Sequence, residues 1–123
     1  QPDMTPGKCW AFPGSNGHIV IRLPARIWPR AATFEHISKM LSADSISSSP
    51  KDISISGLDE GGEETQLGTF RFDIDKEPVQ FFLLKNELRK AFQYIKINIV
   101  SNWGNQEYTC LYHFKLHGKK KHS

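Results

Sequence analysis

Apolar and polar residues alternate along much of this chain with a period of two. In "HIVIRLP", Ile19, Ile21 and Leu23 share one face and His18, Val20 and Arg22 the other. Strand side chains point to opposite faces in turn, so this spacing predicts a half-buried β-strand. Pro24 and Pro29 bracket "ARIW"; proline cannot donate to a ladder, so an edge strand or a bend is expected there. "AATFEHI" resumes the alternation, with Ala32, Phe34 and His36 opposed to Thr33, Glu35 and Ile37. "DISISGL" predicts a short strand closed by Gly57, and "DEGGEE" a hairpin connection. "LGTFRFDID" and "VQFFLL" predict two aromatic-rich strands separated by "KEP", consistent with another hairpin. "YIKINIV" puts Ile95, Ile97 and Ile99 on one face. The terminal strand is expected over Tyr108 to Leu116, with Tyr108, Cys110 and Tyr112 on one face. Residues 42–50, "SADSISSSP", read as a loop, and "KNELRKAF" is the one helix-compatible patch, short enough for a single turn or a loop. About eight or nine short strands with little or no helix predict an all-β sandwich.

Composition narrows the class. A chain of 123 residues fits one domain, and 38% hydrophobic with 24% charged residues is ordinary for a globular protein. No apolar run approaches the roughly 18 residues of a membrane-spanning helix. No signal peptide is evident, and the opening "QPDMTPGKCW" reads as the interior of a larger protein. The net charge is +3, with much of the excess in the terminal "KLHGKKKHS". No aromatic-rich basic face accompanies that tail, so it reads as a solvated end and no nucleic-acid partner is expected. Cys9 and Cys110 are too few for a cysteine-rich zinc site. A bridge between them would stabilise by roughly 4–5 kcal/mol in the loop-entropy picture. Composition leaves a bridge and two buried thiols equally open.

Serines, histidines and aspartates are present, but no G-x-S-x-G elbow frames them, and no enzyme activity is expected. Cys110, His113 and His117 could bind zinc only if the strand broke, because Cys110 and His113 otherwise face opposite ways. Trp103, beside Gly104 at a loop tip, either stacks on a pyranose ring or packs against the end of the sandwich. Two tyrosine hydroxyls and a serine-rich loop can converge on a peptide carboxylate, because tyrosine joins a rigid ring to a polar tip.

"PGKCWAFPGSNGHIVIRLPARI", "SSSPKDISISGLDE", "LGTFRFD" and "SNWGNQEYTCLYHFKLHG" together resemble a SUN domain, the luminal domain of inner-nuclear-membrane proteins that bind KASH proteins across the perinuclear space. The likeness runs from about Gln1 to Gly118, leaving 119–123 as a basic tail, and the wording is nearest to testis-type members. It implies a jelly-roll-like, galactose-binding-domain-like β-sandwich without enzyme activity, trimeric on an upstream coiled coil. It also implies a Cys9–Cys110 disulfide, suited to an oxidising lumen. Motif by motif, the pocket for the terminal carboxylate of a nesprin-like KASH tail would comprise Tyr108, Tyr112, Ser48 and His36. A cation loop holding potassium through backbone carbonyls would match Gln1, Asp3 and Lys8, with Tyr112 contributing from the last strand. The KASH lid, coiled coil and membrane helix of the family would lie upstream, so this segment is expected to be monomeric or weakly trimeric. Departures from the family pattern are a loop at 42–49 one residue shorter, "NQE" before Tyr108, Lys8 in place of asparagine, and His113 in place of arginine.

Overall fold

The structure, a computed structural model, describes residues 9–36, 46–87 and 90–121. Eight strands follow one another in these residues: β1 (Trp10–Pro13), β2 (Gly17–Glu35), β3 (Asp52–Leu58), β4 (Glu64–Arg71), β5 (Val79–Leu83), β6 (Phe92–Ile99), β7 (Tyr108–Leu111) and β8 (His113–Lys120). β1 and β7 form a two-stranded sheet, and the remaining strands lie in the order β4-β3-β6-β2-β5 with β8 also on β2. All pairings are antiparallel. The sandwich expected from the alternation is therefore what forms.

β6 occupies the centre. Ile95, Ile97 and Ile99 are fully buried, and each has partners on both sides. Ile97 lies between Ile19 and Ile55, Ile99 between Gly17 and Ile53, and Ile95 between Ile21 and Gly57. β-branched side chains fit a pleated surface, and burying each contributes about 1.5–3 kcal/mol. Phe34 extends this core to the other half of β2, touching Phe114 at 5.0 Å and Phe82 at 6.2 Å between ring centroids.

Three expectations change, and a fourth is met in one of its two forms. Around Pro24 and Pro29 the expected bend forms, inside a single 19-residue strand, β2, that pairs in turn with β6, β8 and β5. The prolines sit where its register shifts, between Arg22 and Ile27 and between Pro29 and Ala31. Bulges absorb the missing donors there and let β2 turn from one half of the sandwich to the other. Gly57 does not close β3 but pairs within it, opposite Thr65 and Ile95. A Cβ there would meet the Phe92 ring at 2.5 Å, so the glycine makes room for that ring. β4 and β5 share no ladder, since they lie at opposite ends of the strand order. They come together through the Phe70–Phe82 contact at 4.8 Å and one backbone bond, Lys85 N–H to Leu67 O at 2.7 Å. The terminal strand breaks at Tyr112, since β7 pairs with β1 and β8 with β2. β8 continues beyond Leu116 through Lys119 and Lys120, opposite Trp28 and Ile27.

The acidic hairpin forms as expected. Asp59 Oδ1 accepts from the Gly61 and Glu63 amides, and Gly62 takes a φ of 83°. Positive φ favours glycine, which explains Gly62 at this turn. "KNELRKAF" is not helical in its described residues; the Asn86 side chain bonds the Lys90 backbone in both directions.

Candidate functional site

β7 is only four residues long and has a neighbour on each edge. One is β1, with Ala11 opposite Cys110. The other is the segment 46–51, where Ser48 O accepts the Cys110 amide at 2.9 Å. The same segment receives Trp103 N–H at Ser49 O and Asn105 N–H at Ser47 O, each at 3.2 Å, and donates Lys51 N–H to Ser101 O at 2.8 Å. Pro50 bridges Asn102. The serine-rich loop is thus fixed, where described, by backbone bonds, and Ser48 is buried against the strand between the two tyrosines.

The 101–109 turn supplies those bonds because its own polar groups are satisfied. Buried Asn102 donates to Asn105 O at 2.7 Å and Thr109 Oγ1 at 2.9 Å, while its Oδ1 accepts Gly104 N–H at 3.0 Å. Gly104 has a φ of 118°, a conformation that other residues rarely adopt. Asn105 Oδ1 accepts the Glu107 and Tyr108 amides, and Thr109 Oγ1 donates to Gly14 O at 2.8 Å. Asn102, Asn105 and Thr109 were not singled out from the sequence; asparagines flanking a glycine in "NWGN" were the available signal.

Cys9 and Cys110 are disulfide-bonded, with Cα atoms 5.5 Å apart. Cys110 is therefore unavailable to zinc, although the strand does break as a zinc site would need. No group of three or more potential metal ligands occurs among the described residues. Tyr112 lies in that break and stacks edge-on against His36 at 4.9 Å. His36 is buried, with Phe72 on another side at 6.1 Å. The break also means that Tyr112 is not held by strand alternation on the face of Tyr108 and Cys110.

Charges around the site are sparse. Asp52 begins β3 beside the fixed loop, and its carboxyl accepts Ser101 Oγ–H at 2.9 Å and pairs with Arg71 at 3.3 Å. The Ser101 bond, with help from Arg71, holds its pKa below the ordinary carboxylate value. His113 Nδ1 lies 3.8 Å from Glu35, an ion pair only when the ring is protonated. Trp103 donates its indole N–H to Phe72 O at 2.9 Å, and the Lys51 ammonium sits 4.7 Å above its ring. That ring packs against the end of the sandwich rather than standing open for a sugar.

Comparison with known proteins fits this geometry to a family. The model described as "Sad1 / UNC-like C-terminal" matches residues 1–120. The chain belongs to that family. Similar proteins include SUN domain-containing protein 2 of Mus musculus, 50% identical over 99% of this chain and 17% of the relative. SUN domain-containing protein 1 of Homo sapiens is 52% identical over 97% of this chain and 16% of the relative. SUN domain-containing protein 3 of Mus musculus is 49% identical over 96% and 38%. The chain is thus a SUN domain that spans well under half the length of these relatives, and no catalytic family is indicated.

Solved structures resemble the SUN domain in fold alone. A putative chitobiase fragment from Bacteroides thetaiotaomicron aligns with a TM-score of 0.77 at 13% identity, covering 98% of this chain and 74% of that one. A family 32 carbohydrate-binding module from Streptococcus pneumoniae EndoD gives 0.68 at 19%, covering 90% and 75%. At such identities the likeness establishes the galactose-binding-like sandwich and nothing about ligands.

Of the residues expected at the peptide site, the SUN domain brings His36 against Tyr112 and Ser48 against Cys110. Tyr108 lies at the start of β7 opposite Pro13, half-buried, with its amide held by Asn105. Gln1, Asp3 and Lys8 lie outside the described residues, as do residues 42–45 of the serine-rich loop.

Proposed function

We propose that this SUN domain is a non-enzymatic module that captures the C-terminal tail of a KASH protein in the perinuclear space. It would thereby serve a LINC complex linking nucleus to cytoskeleton. The observation carrying this reading is the bond from Cys110 N–H to Ser48 O, which seats buried Ser48 beside the strand that begins at Tyr108, while His36 packs on Tyr112. Neutral hydroxyl donors can hold a carboxylate by charge-assisted bonds without a buried cation. Tyr112 lies outside both neighbouring ladders, which suits a backbone carbonyl that would serve as a potassium ligand. The placement of Trp103 gives no support to a glycan-binding alternative.

The test is calorimetric titration of a lid-containing trimer with a synthetic KASH-tail peptide. Tyr112→Phe and Ser48→Ala should each weaken binding by about 1–3 kcal/mol, the cost of an unpaired buried acceptor. Unchanged affinity in both variants overturns the site assignment.

A further inference from the structure

Residues directly opposite in an antiparallel pair project to the same face of the sheet. The registers of β5, β2 and β8 therefore align three outward rows: Leu83, Ala31 and His117; Phe81, Thr33 and Lys115; Val79, Glu35 and His113. Trp28 pairs with Lys119, which shares the face of Lys115 and His117 by alternation. β5 thus lays down an apolar row and β8 a basic one, with small residues of β2 between them. Val79, Phe81 and Leu83 are 50%, 61% and 73% exposed, and Trp28 is 41% exposed. Over Ala31 and Gly118 the face sinks into an open hollow of about 580 Å³, rimmed by the cations Arg30 and Lys119 and by Phe81 and Leu83. Thr33 Oγ1 and His117 Nε2 bond at 2.7 Å, and the Phe81 ring lies 5.9 Å from that imidazole. Of the outward residues one is a carboxylate, Glu35, at the far end and 3.8 Å from His113. Arg30, Lys115 and Lys119 pair with no carboxylate among the described residues. The basic tail is also no solvated extension as far as it is described. Lys119 and Lys120 pair with Trp28 and Ile27, and Lys121 N–H donates to Arg26 O at 2.9 Å. Folding thus sets beside it an aromatic and apolar surface drawn from distant parts of the chain.

We infer that this face rests on an anionic lipid bilayer. A lipid phosphate or carboxylate sits in the hollow between Arg30 and Lys119, while Trp28, Phe81 and Leu83 dip into the acyl boundary. Exposed apolar patches rimmed by polar groups mark contact surfaces. The composition of this one is interfacial: tryptophan favours headgroup depth, and lysine and arginine keep their charge at the surface while their stems cover apolar area. An apolar protein partner would leave three cations uncompensated. A soluble polyanion would leave four large apolar side chains in water. An anionic bilayer meets both, across a plane wide enough to touch all three strands. Each lysine or arginine at such a surface strengthens binding about fivefold.

Vesicles of phosphatidylcholine with phosphatidylserine should cosediment with the chain, and vesicles of phosphatidylcholine alone should not. Added salt should release it. Arg30→Gln, Lys115→Gln and Lys119→Gln should each weaken binding about fivefold. Lys96→Gln, on the outer face of β6 in the other half of the sandwich, should leave it unchanged. Phe81→Thr keeps a good strand former at an exposed position and should weaken binding about tenfold or more. Equal unfolding midpoints for these variants and the wild type would show that the fold is intact. Lipids brominated on their acyl chains should quench the tryptophan fluorescence, and Trp28→Phe should abolish that quenching. Poly-glutamate tests the soluble alternative: if it binds more tightly than the vesicles and ignores Phe81→Thr, the face takes acidic peptides and the proposal falls. Failure to sediment with the mixed vesicles overturns it, as does an equal effect of Lys96→Gln or quenching that survives Trp28→Phe.

Discussion

The two ends of this domain are held together by different physics. The isoleucine ladder of β2, β6 and β3 is apolar, nearly dry and non-directional. The β1–β7 end is a short two-stranded sheet tied by a disulfide, a buried asparagine network and backbone bonds to the 46–51 segment. Apolar burial tolerates exchange among residues of similar shape, whereas each bond at the β7 end has one donor and one acceptor. The ladder therefore specifies a fold shared by proteins with little sequence in common. The β7 end specifies a motif, and the residues of the proposed site belong to it.

The sharpest way to separate the two regions is to cut the covalent tie. Cys9→Ala with Cys110→Ala opens a link across 101 residues of sequence. By the loop-entropy model it should cost about 4–5 kcal/mol in denaturant unfolding. Hydrogen exchange should also show the Trp103, Asn105 and Cys110 amides opening locally, well below the global free energy that governs β6. Uniform loss of protection across both regions would mean that they are one unit. If the peptide site is as proposed, affinity for a KASH tail should fall with this local opening.

The reverse experiment attacks the ladder. Ile97→Ala removes a fully buried side chain between Ile19 and Ile55 and should cost about 3–4 kcal/mol. The NMR shifts of Tyr112 and His36 should stay in place under native conditions if the two regions are independent. Movement of both resonances would show that the ladder sets the geometry of the β7 end.

The smallest effect lies at the junction. Asp52 in β3 accepts from Ser101 in the turn, and its pKa is depressed. A depressed carboxylate stabilises the fold above its unfolded pKa and loses that contribution as pH falls through the folded value. The stability difference between the wild type and Asp52→Asn should be constant above about pH 5 and shrink as pH drops below about 4. Ser101→Ala should shift that decline upward. A difference that does not change with pH would remove Asp52 from the junction.

Much of this was readable in advance, and for a physical reason. Alternation reports one-sided burial, so Ile19, Ile95, Ile97 and Ile99 could be assigned to a core face from spacing. Periodicity says nothing about which strands become neighbours. β4 and β5, adjacent in the chain and both aromatic-rich, looked like a hairpin but instead border opposite ends of the strand order. Prolines 24 and 29 pointed to an edge or a bend, because a missing donor is cheapest there, and the bend is what forms, at register shifts within one long strand. At the β7 end, the motif carrying Tyr108, Cys110 and Tyr112 pointed to the site. The break at Tyr112, and the asparagines that hold the turn, depend on partners distant in sequence.

The sequence by itself determined the all-β class, the buried isoleucine face and family membership, because these rest on local periodicity and on contiguous motifs. Tertiary structure decided the course of β2 through both halves of the sandwich, the fastening of Ser48 to the Cys110 strand, and the place of β5 at the border of its sheet. Each of these depends on which backbone groups meet across long stretches of chain. Hydrogen bonding between distant segments leaves no periodic trace in the residues that make it.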